Sequence, residues 1–167
     1  AVCSNTATLY GNNPVSQGAN GYWTREVDGI IINDSSSPVT KVTGLESGAN
    51  SFIWTVVKND CSATAEAIIT NNSFTVNAGV DKHVCSTTAT LPALPLSKGT
   101  GVWTKKAGAG TIKSPSVYNS VVTNLGDVGA NKFRWTVTND GCSAYDDVII
   151  YNDLPSDPVV GDDGVVC

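Results

Sequence analysis

Cys85-Ser86-Thr87-Thr88-Ala89-Thr90-Leu91 repeats, with one change, the earlier run Cys3-Ser4-Asn5-Thr6-Ala7-Thr8-Leu9. The offset is 85 − 3 = 82, and Cys167 stands 167 − 85 = 82 residues further on. An internal repeat outranks other sequence signals, because each copy must fold by the same rules. The match extends outward. Gly21-Tyr22-Trp23-Thr24 returns as Gly101-Val102-Trp103-Thr104. Gly48-Ala49-Asn50, Phe52 and Trp54-Thr55-Val56 return as Gly129-Ala130-Asn131, Phe133 and Trp135-Thr136-Val137. Asn59-Asp60-Cys61-Ser62-Ala63 reads as the counterpart of Asn139-Asp140-Gly141-Cys142-Ser143-Ala144, with one residue inserted. Gly161, Asp163, Val166 and Cys167 match Gly79, Asp81, Val84 and Cys85. The chain thus divides into a first copy, 1–73, a second, 74–155, and the opening strand of a third, 156–167. Small drifts in offset belong in loops.

Each copy is small but large enough for one core. Only 15% of residues are charged, and Thr, Ser, Val, Asn and Gly abound, which is the composition of an all-β module. The net charge is −5 with no Lys/Arg cluster, which argues against nucleic acid or an anionic membrane as partner. No apolar run approaches the length of a membrane span. The chain has no Met, so a processed piece of something longer is expected.

Alternation predicts strands at Thr6–Tyr10, from Gly21, at Asp28–Ile32, Val39–Leu45, Ser51–Val57 and Ser62–Thr70. Trp23 is the expected core anchor of the second of these, and Val39, Val42 and Leu45 are inward candidates in the fourth. Phe52, Trp54 and Val56 share one face of the clearest strand. The second copy runs likewise, with strands at Ala89–Leu91, Gly101–Lys105, Gly110–Lys113, Ser120–Leu125, Asn131–Thr138 and Tyr145–Tyr151. Its core anchors are Trp103, Phe133 and Trp135. Asp140-Gly141 is a strong hairpin signal. The joining segment, Phe74–Cys85, is expected to supply the second copy's first strand. Short strands with Gly/Asn/Asp turns and no helical period read as two tandem immunoglobulin-like β-sandwiches.

Five cysteines at repeat-specified positions read as a disulfide framework in an oxidising compartment. Two pairings respect the period. One lies within copies, Cys3–Cys61 and Cys85–Cys142, and leaves Cys167 for a partner beyond the end. The other crosses copies, Cys61–Cys85 and Cys142–Cys167. The first is preferred because it staples each module on its own. Closing a loop of about 58 residues is worth about 4 kcal/mol in the chain-entropy model. No C-x-x-C or Cys/His cluster is present, so no metal or other cofactor is expected.

The run Ala78-Gly79-Val80-Asp81-Lys82-His83-Val84-Cys85 resembles the opening of tandem Ig-like or PKD-like repeats in very large secreted proteins of Bacteroidota. The Thr-Ala-Thr-Leu, Gly-Val-Trp-Thr, Phe-Arg-Trp-Thr-Val and Asn-Asp-Gly-Cys-Ser runs that follow share the resemblance. Gliding-motility adhesins and other type IX-secreted surface proteins carry such arrays. The resemblance covers both copies and implies an extracellular, cell-surface repeat. It carries over no catalytic residue. Neither copy has the Trp-Asp-Phe-Gly motif of PKD domains, so the Ig-like label fits better.

No constellation for catalysis is visible. His83 is the single histidine, and Asn33-Asp34-Ser35-Ser36-Ser37 is a loop without an accompanying base. Asp153, Asp157, Asp162 and Asp163 offer oxygen ligands for calcium, but the preceding linker offers only Asp81, so a solvated linker is the simpler reading. The expected function is structural, a stalk or filament-forming segment of a surface adhesin or fibre, whose partners are neighbouring copies of the same repeat. The alternative is a module that recognises a glycan or protein through its loops. Tyr10 and Tyr118 are loop candidates for that role, though neither has an aromatic counterpart in the other copy.

The ends carry one further expectation. Ala1-Val2-Cys3 and Val165-Val166-Cys167 are cut at the same phase of the period. Residues 158–167 are expected to lie extended beside a copy-one-like module of a neighbour, in a covalent array or between separate subunits. In either case Val165, Val166 and Cys167 are inter-repeat or intermolecular residues.

Overall fold

The computed structural model describes residues 1–126 and 129–155. In the first repeat the strands are β1 (Thr6–Tyr10), β2 (Asn20–Arg25), β3 (Ile31–Ile32), β4 (Val39–Thr43), β5 (Gly48–Lys58) and β6 (Cys61–Asn71). In the second they are β7 (Lys82–Val84), β8 (Ala89–Thr90), β9 (Thr100–Ala107), β10 (Thr111–Ile112), β11 (Val121–Thr123), β12 (Gly129–Asn139) and β13 (Cys142–Asn152). A single 3-10 turn, Val15–Gln17, is the one helical element among the described residues.

The first repeat has sheets ordered β1-β4-β3 and β2-β5-β6, and the second β10-β11-β8 and β7-β13-β12-β9. Both repeats are therefore the same sandwich. In the second, the opening strand β7 lies parallel to the last strand, Val84 beside Asn152. In the first, Val2 alone makes the equivalent parallel bridge, to Asn71. This order, three antiparallel strands facing a sheet built on the last two long strands, is that of an immunoglobulin-like β-sandwich.

Sequence alternation builds the core. On β5 the inward side chains are Asn50, Phe52 and Trp54, and on β12 they are Asn131, Phe133, Trp135 and Val137. Trp23 lies opposite Trp54 in the β2–β5 register, with ring centroids 5.0 Å apart. Trp103 lies opposite Trp135, at 5.1 Å. Leu9, Ile30, Val42 and Leu45 close the first core over Phe52. Burying each such side chain contributes about 1.5–3 kcal/mol. Gly21 and Gly101 leave room for the tryptophans: a Cβ on either would collide with the Trp54 or Trp135 ring.

Some expectations need correction. Val39 is 52% exposed, and Thr40 faces inward with Val42. Residues an odd number apart on a strand point to opposite faces, so Val39 and Val42 cannot both be inside. The long strands reach further than the apolar pattern, because polar ends still pair. β3 and β10 are only two residues each. The hairpins have no inserted residue. β5 to β6 and β12 to β13 keep one offset throughout, 129 − 48 = 81 and 152 − 71 = 81. Asn59 thus occupies Asp140's place, and both adopt positive φ, 52° and 48°.

The chain forms two compact units. The first comprises Ala1–Thr75 and the hairpin tip Asn139–Ser143. The second comprises the described residues of Val76–Thr138 and those from Ala144 to Pro155. The expected boundary at 73/74 lies close to this division, but the tip of the second repeat's hairpin falls with the first unit.

Candidate functional site: the cysteine positions

Strand direction decides which cysteines can meet. Cys61 opens β6 and Cys142 opens β13. Val2 is beside Asn71 at the far end of β6, so Cys3 and Cys61 sit at opposite ends of that strand. The separation is 71 − 61 = 10 residues, or about 33 Å at 3.3 Å per residue. Val84 and Asn152 set the same separation between Cys85 and Cys142. A disulfide needs Cα atoms within about 7 Å, so the expected within-copy bonds, Cys3–Cys61 and Cys85–Cys142, are excluded.

Cys3 is bonded instead to Cys142, with Cα atoms 5.4 Å apart. Cys61 and Cys85 are exposed free thiols. Neither expected pairing therefore forms among them, and the alternative Cys61–Cys85 bond is absent too. The bond joins the opening cysteine of one repeat to the hairpin cysteine of the following repeat. What the sequence withheld was the parallel direction of the opening strand.

The Cys3 segment is held firmly. Val2 N–H donates to the Thr70 carbonyl and its own carbonyl accepts from Asn72 N–H, each at 2.8 Å. The Asn72 side chain donates to the Asp140 carbonyl in the hairpin tip, at 3.4 Å. The equivalent segment of the second repeat repeats the backbone bond, Asp153 N–H to the Val84 carbonyl at 2.8 Å. There His83 Nδ1 meets Asp153 Oδ2 at 2.7 Å and its ring stacks on Tyr151. His83 is thus a structural partner at the strand end.

Buried asparagines fix the long strands, and sequence reasoning missed them. Asn50 Nδ2 donates to the carbonyls of Glu46, Gly48 and Ile69, and its Oδ1 accepts from Glu46 N–H at 3.0 Å. Asn131 Oδ1 accepts from Ala109 N–H at 2.8 Å, and Nδ2 donates to the carbonyls of Gly129 and Ile150. Asn71 and Asn152 donate to the carbonyls of Leu45 and Gly126. The recurrence of Asn50 as Asn131 and of Asn71 as Asn152 was the available signal.

Among the described residues the second repeat alone carries an ionic cluster. Asp147 receives Arg134 Nε at 2.7 Å and Nη2 at 2.9 Å, and Lys132 Nζ at 2.9 Å. Arg134 lies over the Tyr145 ring at 3.5 Å. The Arg134 hydrogen bonds hold the Asp147 carboxyl well below the usual carboxylate range, and Lys132 adds to them against the opposing effect of burial. In the first repeat Glu66 stands in the same place and accepts from Ser51 Oγ, at 2.6 Å.

The tryptophan pairs differ in one respect. Trp54 Nε1 donates to Asn12 Oδ1 at 3.0 Å. Among the described residues Trp135 Nε1 is buried without a hydrogen-bond partner. Trp135 contributes to a cleft of about 410 Å³ lined by Leu96, Thr100, Gly101, Val117 and Tyr118.

The remaining candidates do not converge. Val165, Val166 and Cys167, with Asp157, Asp162, Asp163 and the expected extended segment 158–167, lie outside the described residues. Asp81 Oδ1 accepts from Ile149 N–H at 2.8 Å. Among the described residues no group of three or more His, Cys, Asp or Glu is placed to hold a metal ion. Tyr10 ends β1, exposed, and does not lie in a loop. No helix among them is long and apolar enough to cross a membrane.

No family model matches the sequence, and no curated protein matches it. Similar solved structures are extracellular domains 3–5 of Drosophila OTK, at 11% identity and TM-score 0.41, covering 89% of this chain and 56% of that one. The N-terminal four Ig domains of Dscam1 isoform 7.44 match at 11% identity and TM-score 0.44, covering 91% and 41%. An endo-fucoidan hydrolase of glycoside hydrolase family 107 matches at 19% identity and TM-score 0.29, covering 81% and 24%. The chain thus spans about half the length of the first of these. The fold assignment rests on the strand order.

Proposed function

We propose that this chain is a structural segment of an extracellular surface adhesin or fibre, made of immunoglobulin-like repeats that transmit tension. The single observation that carries this reading is the Cys3–Cys142 disulfide. It ties the start of one repeat to the hairpin of the next, and structural disulfides belong to oxidising compartments. Tension applied at the two termini passes through that bond. The chain between the two cysteines, 139 residues by sequence separation, is taken off the load path. Repetition at a near-constant length suits such a role, and the resemblance to surface arrays agrees with it.

Single-molecule pulling from the two termini tests the reading. The oxidised protein is expected to withhold the bypassed segment, and reductant to release it as about 480 Å of extra contour at 3.5 Å per residue. Equal extension with and without reductant would contradict it.

A second reading is favoured by the cleft beside Trp135, whose buried indole N–H lacks a partner. There the second repeat binds an apolar-faced ligand, glycan or protein, that brings an acceptor. Titration of a panel of oligosaccharides with indole fluorescence as readout tests it. Saturable quenching lost in Tyr118→Ala supports this reading, and a flat response across the panel removes it.

A further inference from the structure

We infer that Cys85 of one molecule and Cys61 of a second copy of this chain are the two halves of an intermolecular disulfide, joining molecules head to tail. The inference deepens the structural reading above and rests on it.

Equivalence of position carries the argument. Cys85 follows Val84, which lies parallel beside Asn152 and whose carbonyl accepts from Asp153 N–H. Cys3 follows Val2, which lies parallel beside Asn71 and whose carbonyl accepts from Asn72 N–H. Cys61 and Cys142 each open the last strand of their repeat after a two-residue turn, at the constant offset 142 − 61 = 81. Cys85 is therefore a second Cys3, and Cys61 a second Cys142. The observed bond runs from an opening cysteine to the hairpin cysteine of the following repeat. Shifted by one repeat, the same bond runs from Cys85 to the hairpin of whatever repeat follows the second. In a second copy of this chain that hairpin cysteine is Cys61. Both thiols are exposed and unbonded, and the two leave no member of the pattern unmatched among the described cysteines.

One local difference sharpens the role of the bond. At the observed junction Asn72 donates to the hairpin carbonyl of Asp140. At the new junction Asp153, an acceptor that meets His83, replaces that donor, so that hydrogen bond to the hairpin is lost and the disulfide takes more of the load. The reaction takes two thiols and one disulfide oxidant, such as oxidised glutathione. One new S–S bond forms, and the oxidant accepts two electrons and two protons to leave as two thiols. A contact between different surfaces of successive copies does not close on itself, so the product is an open chain of molecules.

The test uses the full chain with Cys167→Ser, to confine the readout to the described thiols. An equal mixture of unlabelled and isotope-labelled protein is oxidised in a glutathione redox buffer, run on a non-reducing gel and mapped by mass spectrometry. The expected result is a ladder of oligomers, with about half of the Cys61–Cys85 cross-links mixed in label, as random head-to-tail joining requires. Cys61→Ser and Cys85→Ser, each made separately, are expected to abolish the ladder. Unmixed cross-links, symmetric Cys61–Cys61 or Cys85–Cys85 peptides, or monomer with free thiols would each overturn the inference. The Cys3–Cys142 peptide, read in the same map, reports separately on the junction that supports the proposed function.

Discussion

Val84 lies beside Asn152 in parallel register. That one pairing sends the chain's opening cysteines to the end of each sandwich away from the hairpin cysteines. It makes bonds between successive repeats possible and bonds within a repeat impossible. Most of the behaviour expected of this chain follows from it and from the paired tryptophans.

Replacing Gly101 by Ala sets a Cβ against the Trp135 ring. The ring is buried and packed on Trp103, so overpacking should cost about 1–3 kcal/mol. Denaturant melts should show the second repeat unfolding earlier and the first unchanged. Gly21→Ala should do the reverse.

Asn131→Ala strands Ala109 N–H and leaves the Gly129 and Ile150 carbonyls short of a donor. The expected loss is about 2–3 kcal/mol, read as a shift in the second repeat's unfolding midpoint. Asn131→Asp keeps the acceptor for Ala109 but sets a buried carboxylate against the Gly129 and Ile150 carbonyls, and should cost at least as much at neutral pH.

Asp147 gives the second repeat an acid dependence of its own. Its carboxyl is held below its ordinary range by Arg134. A depressed pKa contributes stability that is present above the unfolded value, about 4, and lost as pH falls through the folded one. Asp147→Asn should therefore cost about 1 kcal/mol at neutral pH. The difference from the parent should shrink below about pH 4. Melts of both proteins across pH 2–7 check this, and a difference that grows on acidification would contradict it.

Leu96→Asn places an acceptor on the wall of the cleft that Trp135 also lines, as Asn12 serves Trp54 in the first repeat. A new bond to Trp135 Nε1 should stabilise the second repeat by about 1 kcal/mol. The indole Nε1 proton resonance should shift downfield and exchange more slowly, while that of Trp54 stays put.

The sandwich was legible in the sequence because its core obeys period two and recurs. Phe52 and Trp54, Phe133 and Trp135 announce the buried face twice. Val39 misled because apolar character was weighed above parity, and the fold buries Thr40 in its place. The turn at Asn59 misled because Asn-Asp matches Asn-Asp by letter, whereas position matches Asn59 to Asp140. The disulfide was not legible, since cysteine spacing is blind to whether an opening strand runs parallel or antiparallel to the last. The ionic cluster on Asp147 needed cross-strand register, which no single-strand pattern supplies. Asn131 was expected only as the start of a strand, and it is the burial of Asn50 and Asn131, at 0% and 3% exposure, that reveals that they tie strands together.

The most direct test of the account is disulfide mapping of the native protein, digested without reductant with free thiols blocked. The account predicts one linked pair from the described cysteines, Cys3 with Cys142, and blocked thiols at Cys61 and Cys85 in monomeric material. Peptides joining Cys3 to Cys61, or Cys85 to Cys142, would contradict it.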